Sequence, residues 1–155
     1  MKAIDKRALV VKLREELKKE IATMRDAQRV AHEAATHEEA KPENDKDTRA
    51  LEASYLARGQ AERVRDMERA DNALEFLVLR ACETVTLGAI VELDHDGARS
   101  VYFLAPVGGA IRAAIDGVTV QVVTPEAPMG RALVGRVVGD SVEVRGKEYE
   151  IVEVL

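Results

Sequence analysis

Residues Leu9 to Ala35, LVVKLREELKKEIATMRDAQRVAHEAA, contain neither Pro nor Gly. Val10, Leu13, Leu17, Met24, Ala27, Ala31 and Ala34 recur within them at three- and four-residue spacing, which predicts one amphipathic helix starting near Ala3. A second run without Pro, Asp47 to Arg80, carries Ala50, Ala53, Ala57, Val64, Met67, Leu74 and Val78 at the same spacing. Gly59 is its weak point, costing about 1 kcal/mol relative to Ala inside a helix. Two consecutive apolar stripes bury against one another, so the expected product is an antiparallel coiled-coil hairpin. Large residues lie far from the connection (Leu9, Leu13 and Leu17 with Leu74, Leu77 and Val78) and Ala lies near it, which predicts close packing and a slender tip. Arms of about 30 residues would reach roughly 45 Å.

The connection, Thr36 to Asp47, is densely charged and contains Pro42, which disfavours helix at Lys41. Asn44, Asp45 or Asp47 can cap the second helix, with Asp47 preferred because Thr48 leads straight into the apolar rhythm. Read alone, Glu38, Glu39, Glu43, Asp45 and Asp47 form a solvated loop with capping duties. His37 beside Glu38 and Glu39 lacks a convergent third ligand, so solvation is the expected fate there too.

After Glu83 the composition shifts to β-branched residues, Gly and turn pairs. Thr84 to Leu93 alternates as a strand, Asp94-His95-Asp96-Gly97 turns the chain, and Arg99 to Leu104 returns. Val118 to Val123 is a third strand and Pro128 to Gly135 a short helix. Val142 to Val144 and Tyr149 to Val154 form a last hairpin about Arg145-Gly146-Lys147. The expected class is α+β: a coiled-coil hairpin over 1–83 with its acidic tip near 37–47, then a β-rich domain of four or five strands and one short helix over 84–155.

Composition narrows the function. With 33% charged residues, a net charge of -5 and no Trp, the chain suits an elongated shape and lacks the surplus of cations a general nucleic-acid binder needs. A single cysteine, Cys82, forms no internal disulfide and no Cys-based zinc site, and no apolar run approaches the ~20 residues of a membrane span. A cytoplasmic, monomeric protein without membrane contact is expected. Cys82 is expected to pack at the domain junction, Gly108-Gly109 to form a turn, and Tyr55 to pack between helices.

The stretch Ala127-Pro128-Met129-Gly130-Arg131-Ala132-Leu133-Val134-Gly135, followed by Gly139-Asp140, Val142-Glu143-Val144 and Glu148-Tyr149-Glu150-Ile151, resembles the end of the Gre family (GreA and GreB) of bacterial transcript-cleavage factors. Leu87 to Leu93 looks like the first strand of that family's carboxy-terminal domain, and the preceding hairpin has the family's order and length. The resemblance implies an FKBP-like second domain, RNA polymerase as partner, and nucleic acid approached only through the polymerase. It further implies a hairpin inserted in the polymerase's secondary channel, helping the polymerase's own site to cleave backtracked RNA. On this reading the chain is an accessory factor and not an enzyme. No cofactor is held stably, and Glu39 and Glu43 at the tip assist catalysis by sharing a Mg²⁺ with the polymerase. Pro128 and Met129, an apolar turn at a helix start, are expected either to project and touch the partner, together with Arg131, or to pack in the core. Glu43-Asn44 matches the family's tip, but the Asp position falls on Ala40, with Glu39 adjacent. A non-catalytic channel-occupying regulator is the alternative, and an FKBP-like isomerase with a chaperone hairpin a lesser one.

Overall fold

The computed structural model describes residues 3–39 and 46–155, with the side chains of residues 35–39, 46, 47 and 50 outside the description. Two long helices, α1 (Lys6–Glu39) and α2 (Lys46–Glu75), precede six strands and a short helix. The strands are β1 (Ile90–His95), β2 (Ala98–Leu104), β3 (Arg112–Ile115), β4 (Val118–Val123), β5 (Ser141–Val144) and β6 (Lys147–Val154), with α3 (Pro128–Leu133) before β5. The class is α+β, as the residue pattern predicts. Asp5 starts α1 by accepting hydrogen bonds from the backbone N–H groups of Arg7 and Ala8, which would otherwise lack partners in the first turn. Lys46 opens α2, so Asp47 sits inside its first turn, and α2 ends at Glu75, five residues short of Arg80.

One mixed sheet has the order β3-β4-β2-β1-β6-β5. Only β2 and β4 run parallel; every other pair is antiparallel. Three hairpins close on two-residue turns, Asp96-Gly97, Asp116-Gly117 and Arg145-Gly146, in which both residues take positive φ. That backbone matches the twist of the flanking strands and favours Gly at the second position. Thr84 makes only an isolated bridge to Val137, so the first strand starts at Ile90 and not at Thr84. The β3 strand is absent from the sequence expectation.

Strand alternation feeds two cores. Ile90, Val101, Phe103, Val120 and Val122 face the hairpin base, where they meet Ile4, Leu9, Val10, Leu13, Leu17, Met67 and Leu74. Val91, Leu93, Leu104, Val123, Val142 and Ile151 face the other way and pack with Leu133 of α3. Lys12 Nζ donates to the Ala114 carbonyl at 2.6 Å, fastening α1 to edge strand β3.

Among the described residues the two arms are buried only near their base. Between Ile21 on α1 and Val64 on α2, no described residue is buried: Ala27, Ala31, Ala34, Ala53 and Ala57 are exposed, and Val30, Leu51, Tyr55 and Leu56 are 53% to 66% exposed. The Ala ladder expected to form a buried seam is therefore not one, and Tyr55 is not packed between helices. Ala offers a single methyl, too little to bury where neighbouring side chains are long and charged. Ion pairs across the hairpin link Arg25 to Glu68 and Arg63 to Glu20.

Arg14 joins the arms lower down, donating to Asp71 at 2.8 Å and lying 3.3 Å from Glu75. The hydrogen bond from Arg14 holds the Asp71 carboxyl below its ordinary value against the opposing effect of partial burial. A depressed carboxylate stabilises the fold above its unfolded value of about 3.9, and that contribution disappears as pH falls through the lower folded value. Asp71→Asn is expected to lower unfolding free energy by about 1 kcal/mol at pH 7 and by much less near pH 2, as measured by urea titration at the two pH values.

Candidate functional site

Two regions carry the residues singled out in the sequence. The first is the hairpin tip. Glu39 is the last residue of α1, its side chain lies outside the description, and Ala40 to Asp45, including Glu43, lie outside the described residues. Among the described residues no cluster of three His, Cys, Asp or Glu side chains is placed to hold a metal ion.

The second is a groove in the β-rich half, with a volume of about 530 Å³, and its chemistry begins at α3. Ala127 is extended at φ -67°, ψ 151°, and Pro128 follows at the start of the helix, where its missing N–H costs nothing. The Ala127 N–H donates to the Thr124 carbonyl at 3.1 Å, and that carbonyl approaches Gly130 so closely that a Cβ there would stand 1.9 Å away. Gly130 thus lets α3 lie against the end of β4, and this approach sets Pro128 and Met129 over the sheet. Both line the groove; Arg131 is exposed on α3 and does not line it.

Strands contribute most of the rest of the lining, with Gly109, Ala110 and Thr124 coming from loops. Tyr102 comes from β2, Gln121 and Val123 from β4, Val144 from β5, and Lys147 and Tyr149 from β6, with Arg145 in the turn between the last two. Tyr149 is held by a ring contact with His95, centroids 5.0 Å apart, and His95 Nδ1 lies 2.7 Å from the Glu148 carbonyl oxygen. Phe103 points into the other core and is fully buried, so two tyrosines are the groove's aromatic content. Strand alternation could have found Tyr102 and Val123, which stand one position out of step with the Phe103 and Val122 face. Only Pro128 and Met129 were legible directly.

Two further clefts flank the loop 106–111, where Gly108 takes φ +88° and makes the expected turn. They are lined by charges of both signs, including Glu20, Asp66, Glu126, Arg63 and Arg69. Cys82 is partly buried beneath the second core and lies 3.6 Å from Lys6 Nζ, at the junction as expected.

No protein-family model matches the chain, and no curated protein matches its sequence. Among solved structures, Thermus aquaticus Gfh1 is 24% identical, with 90% of this chain and 92% of that chain covered and a TM-score of 0.37. GreA factor homolog 1 (Gfh1) of Thermus thermophilus is 22% identical, with 92% and 94% covered and the same TM-score. At these levels the activity must be argued from the chain's own residues. No described helix is long and apolar enough to cross a membrane.

Proposed function

We propose that the chain is an accessory factor of RNA polymerase, entering the secondary channel with the hairpin and holding the channel rim with the groove at Pro128 and Met129. The observation that carries this reading is the distal half of the hairpin. None of its described residues is fully buried, and Val30, Leu51, Tyr55 and Leu56 leave apolar surface open to water. Exposed apolar surface of this kind suits a partner that covers it. The Gre-like residue pattern around Pro128 supplies the identity of that partner.

The finer activity is stimulation of RNA cleavage by the polymerase's own site. Glu39 and Glu43 carry carboxylates, the oxygen donors a hard cation takes, and a second Mg²⁺ stabilises charge on the attacking or leaving oxygen in phosphoryl chemistry. Two carboxylates are too few to hold that ion alone, so the polymerase must supply the other ligands. Ala40, standing where the Gre pattern has Asp, favours a second reading in which the hairpin occupies the channel without promoting cleavage.

Stalled, backtracked elongation complexes separate the two. On the first reading the chain shortens the RNA faster than polymerase alone, and Glu39→Ala with Glu43→Ala slows this by at least about tenfold, or about 1.4 kcal/mol of barrier. No acceleration by the unaltered chain, with nucleotide addition inhibited, would establish the second. Failure to bind polymerase at all would remove both.

A further inference from the structure

We infer that the groove between α3 and the β5–β6 hairpin receives an acidic polypeptide segment, one that sets an apolar side chain between carboxylates. This rests on the groove being the sheet-side docking surface proposed above, and it adds the chemistry of what docks there.

Charge is the first ground. The chain has 28 acidic and 23 basic residues, yet among the described residues no Asp or Glu lines this groove, while Arg145 and Lys147 both do. The register explains the sorting. Val142 pairs with Tyr149 and Val144 with Lys147, whereas Glu143 pairs with Glu148. Side chains alternate across a strand, so Val144, Lys147 and Tyr149 share the groove face and the glutamates are sent to the opposite one. Arg145 is carried in the tight turn itself, at φ 51°.

Pairing is the second. Arg14, Lys19, Arg25, Arg29, Arg63, Arg69 and Arg99 each meet a carboxylate within the chain. Among the described residues Arg145, Lys147 and the adjacent Arg131 meet none; Arg7, Arg80 and Arg112 share that state, so what sets the groove apart is two such cations on a wall without an acid. The hairpin clefts carry both signs on their walls; this groove carries cations alone.

The floor is the third. Met129, Val123, Val144 and the rings of Tyr102 and Tyr149 offer an apolar bed within the volume range of about 300–1,000 Å³ typical of binding sites. Met adapts to irregular apolar shapes. Two cations over such a bed suit a carboxylate-flanked apolar side chain; a nucleic acid strand needs a longer row of cations along its phosphates.

The test uses the full ¹⁵N-labelled chain and three probes: acetyl-Glu-Glu-Leu-Leu-Glu-Glu-amide, its Lys-for-Glu counterpart, and a uridine decamer. The acidic peptide should shift the amide signals of Val144, Lys147 and Tyr149. Arg145→Glu with Lys147→Glu should weaken that binding by at least about tenfold at low salt, the difference shrinking as salt screens the exposed charges. Retention of the remaining amide spectrum shows that the variant is folded. Equal or larger groove shifts with the basic peptide or the decamer, or undiminished acidic-peptide binding by the variant, would overturn the inference. RNA polymerase binding, measured in parallel, tests the other layer. Loss of affinity in the groove variant but not in Arg7→Glu with Arg80→Glu, which changes charge equally elsewhere, supports both readings. Peptide binding without polymerase binding keeps the groove chemistry and rejects the polymerase as partner.

Discussion

Gly130→Ala is expected to destabilise the chain by about 3 kcal/mol or more, an effect at the severe end for a single added methyl group. The added Cβ would stand 1.9 Å from the Thr124 carbonyl oxygen, 2.7 Å from its carbon and 3.1 Å from Pro125 Cα. All three are backbone atoms, so no side-chain rotation relieves the overlap. The Thr124 carbonyl is engaged by the Ala127 N–H and sits at the end of β4. Instead α3 must retreat, drawing Leu133 out of the core it shares with Val123, Val142 and Ile151. Urea unfolding followed by circular dichroism should show a lower midpoint. Because Pro128 and Met129 ride on the same helix, the groove should lose affinity for whatever fills it. An unchanged midpoint would mean that α3 does not sit this close to the sheet.

Phe103→Ala should cost about 3–5 kcal/mol, the usual range for emptying a fully buried aromatic site. Its particular value is diagnostic. Phe103 belongs to the core that contains both sheet residues and the hairpin base, among them Leu9, Leu13, Leu17 and Leu74. Removing the ring from the sheet side should therefore lower the melting of the helices as well. Helical ellipticity and tyrosine fluorescence should fall in one coincident transition in both the wild type and the variant. Two separated transitions, with the helical one unmoved, would show that the base of the hairpin does not depend on the sheet.

The long helices and their stripes were legible because burial at the base follows the apolar rhythm: Leu9, Leu13 and Leu17 meet Leu74 as the spacing predicts. The same rhythm continued in Ala misled, since periodicity records which face is less polar and not whether that face has enough surface to bury. In the second half, Val118 to Val123 emerged because β-branched residues dominate it. The Arg112–Ile115 strand did not, since two alanines between Arg and Ile carry little strand preference. Its turn, Asp116-Gly117, is the same hairpin signal as Asp96-Gly97 and locates the missing strand once read that way. The Thr84 to Gly88 segment looked like strand through its composition, yet its backbone turns where Gly88 takes φ +86°.

The groove was half visible. Pro128 and Met129 could be named from the turn they make, but Arg145, Lys147 and Tyr149 join them only through the fold of β5 onto β6 and of β6 against β1. Contacts of that kind depend on tertiary register, which no local pattern encodes. Arg131 illustrates the converse: two residues beyond Met129, it points elsewhere because helix geometry turns each successive side chain by about 100°.

The position of β6 inside the sheet, between β1 and β5, has a consequence for how the molecule is made. The ribosome delivers Ile4, Leu9, Leu13 and Leu17 first, but the sheet that covers them gains its interior β6 strand only when Lys147 to Val154 emerges, bonding Leu155 to Ile90 in both directions. Throughout that interval the nascent helices present their greasy base to the cell, the condition under which growing chains stick to one another or recruit chaperones. Nonlocal pairing of this span also slows the closing step. A stop codon between Val123 and Lys147 would thus release a chain that keeps the strand residues facing the helices but lacks the interior strand that completes the sheet.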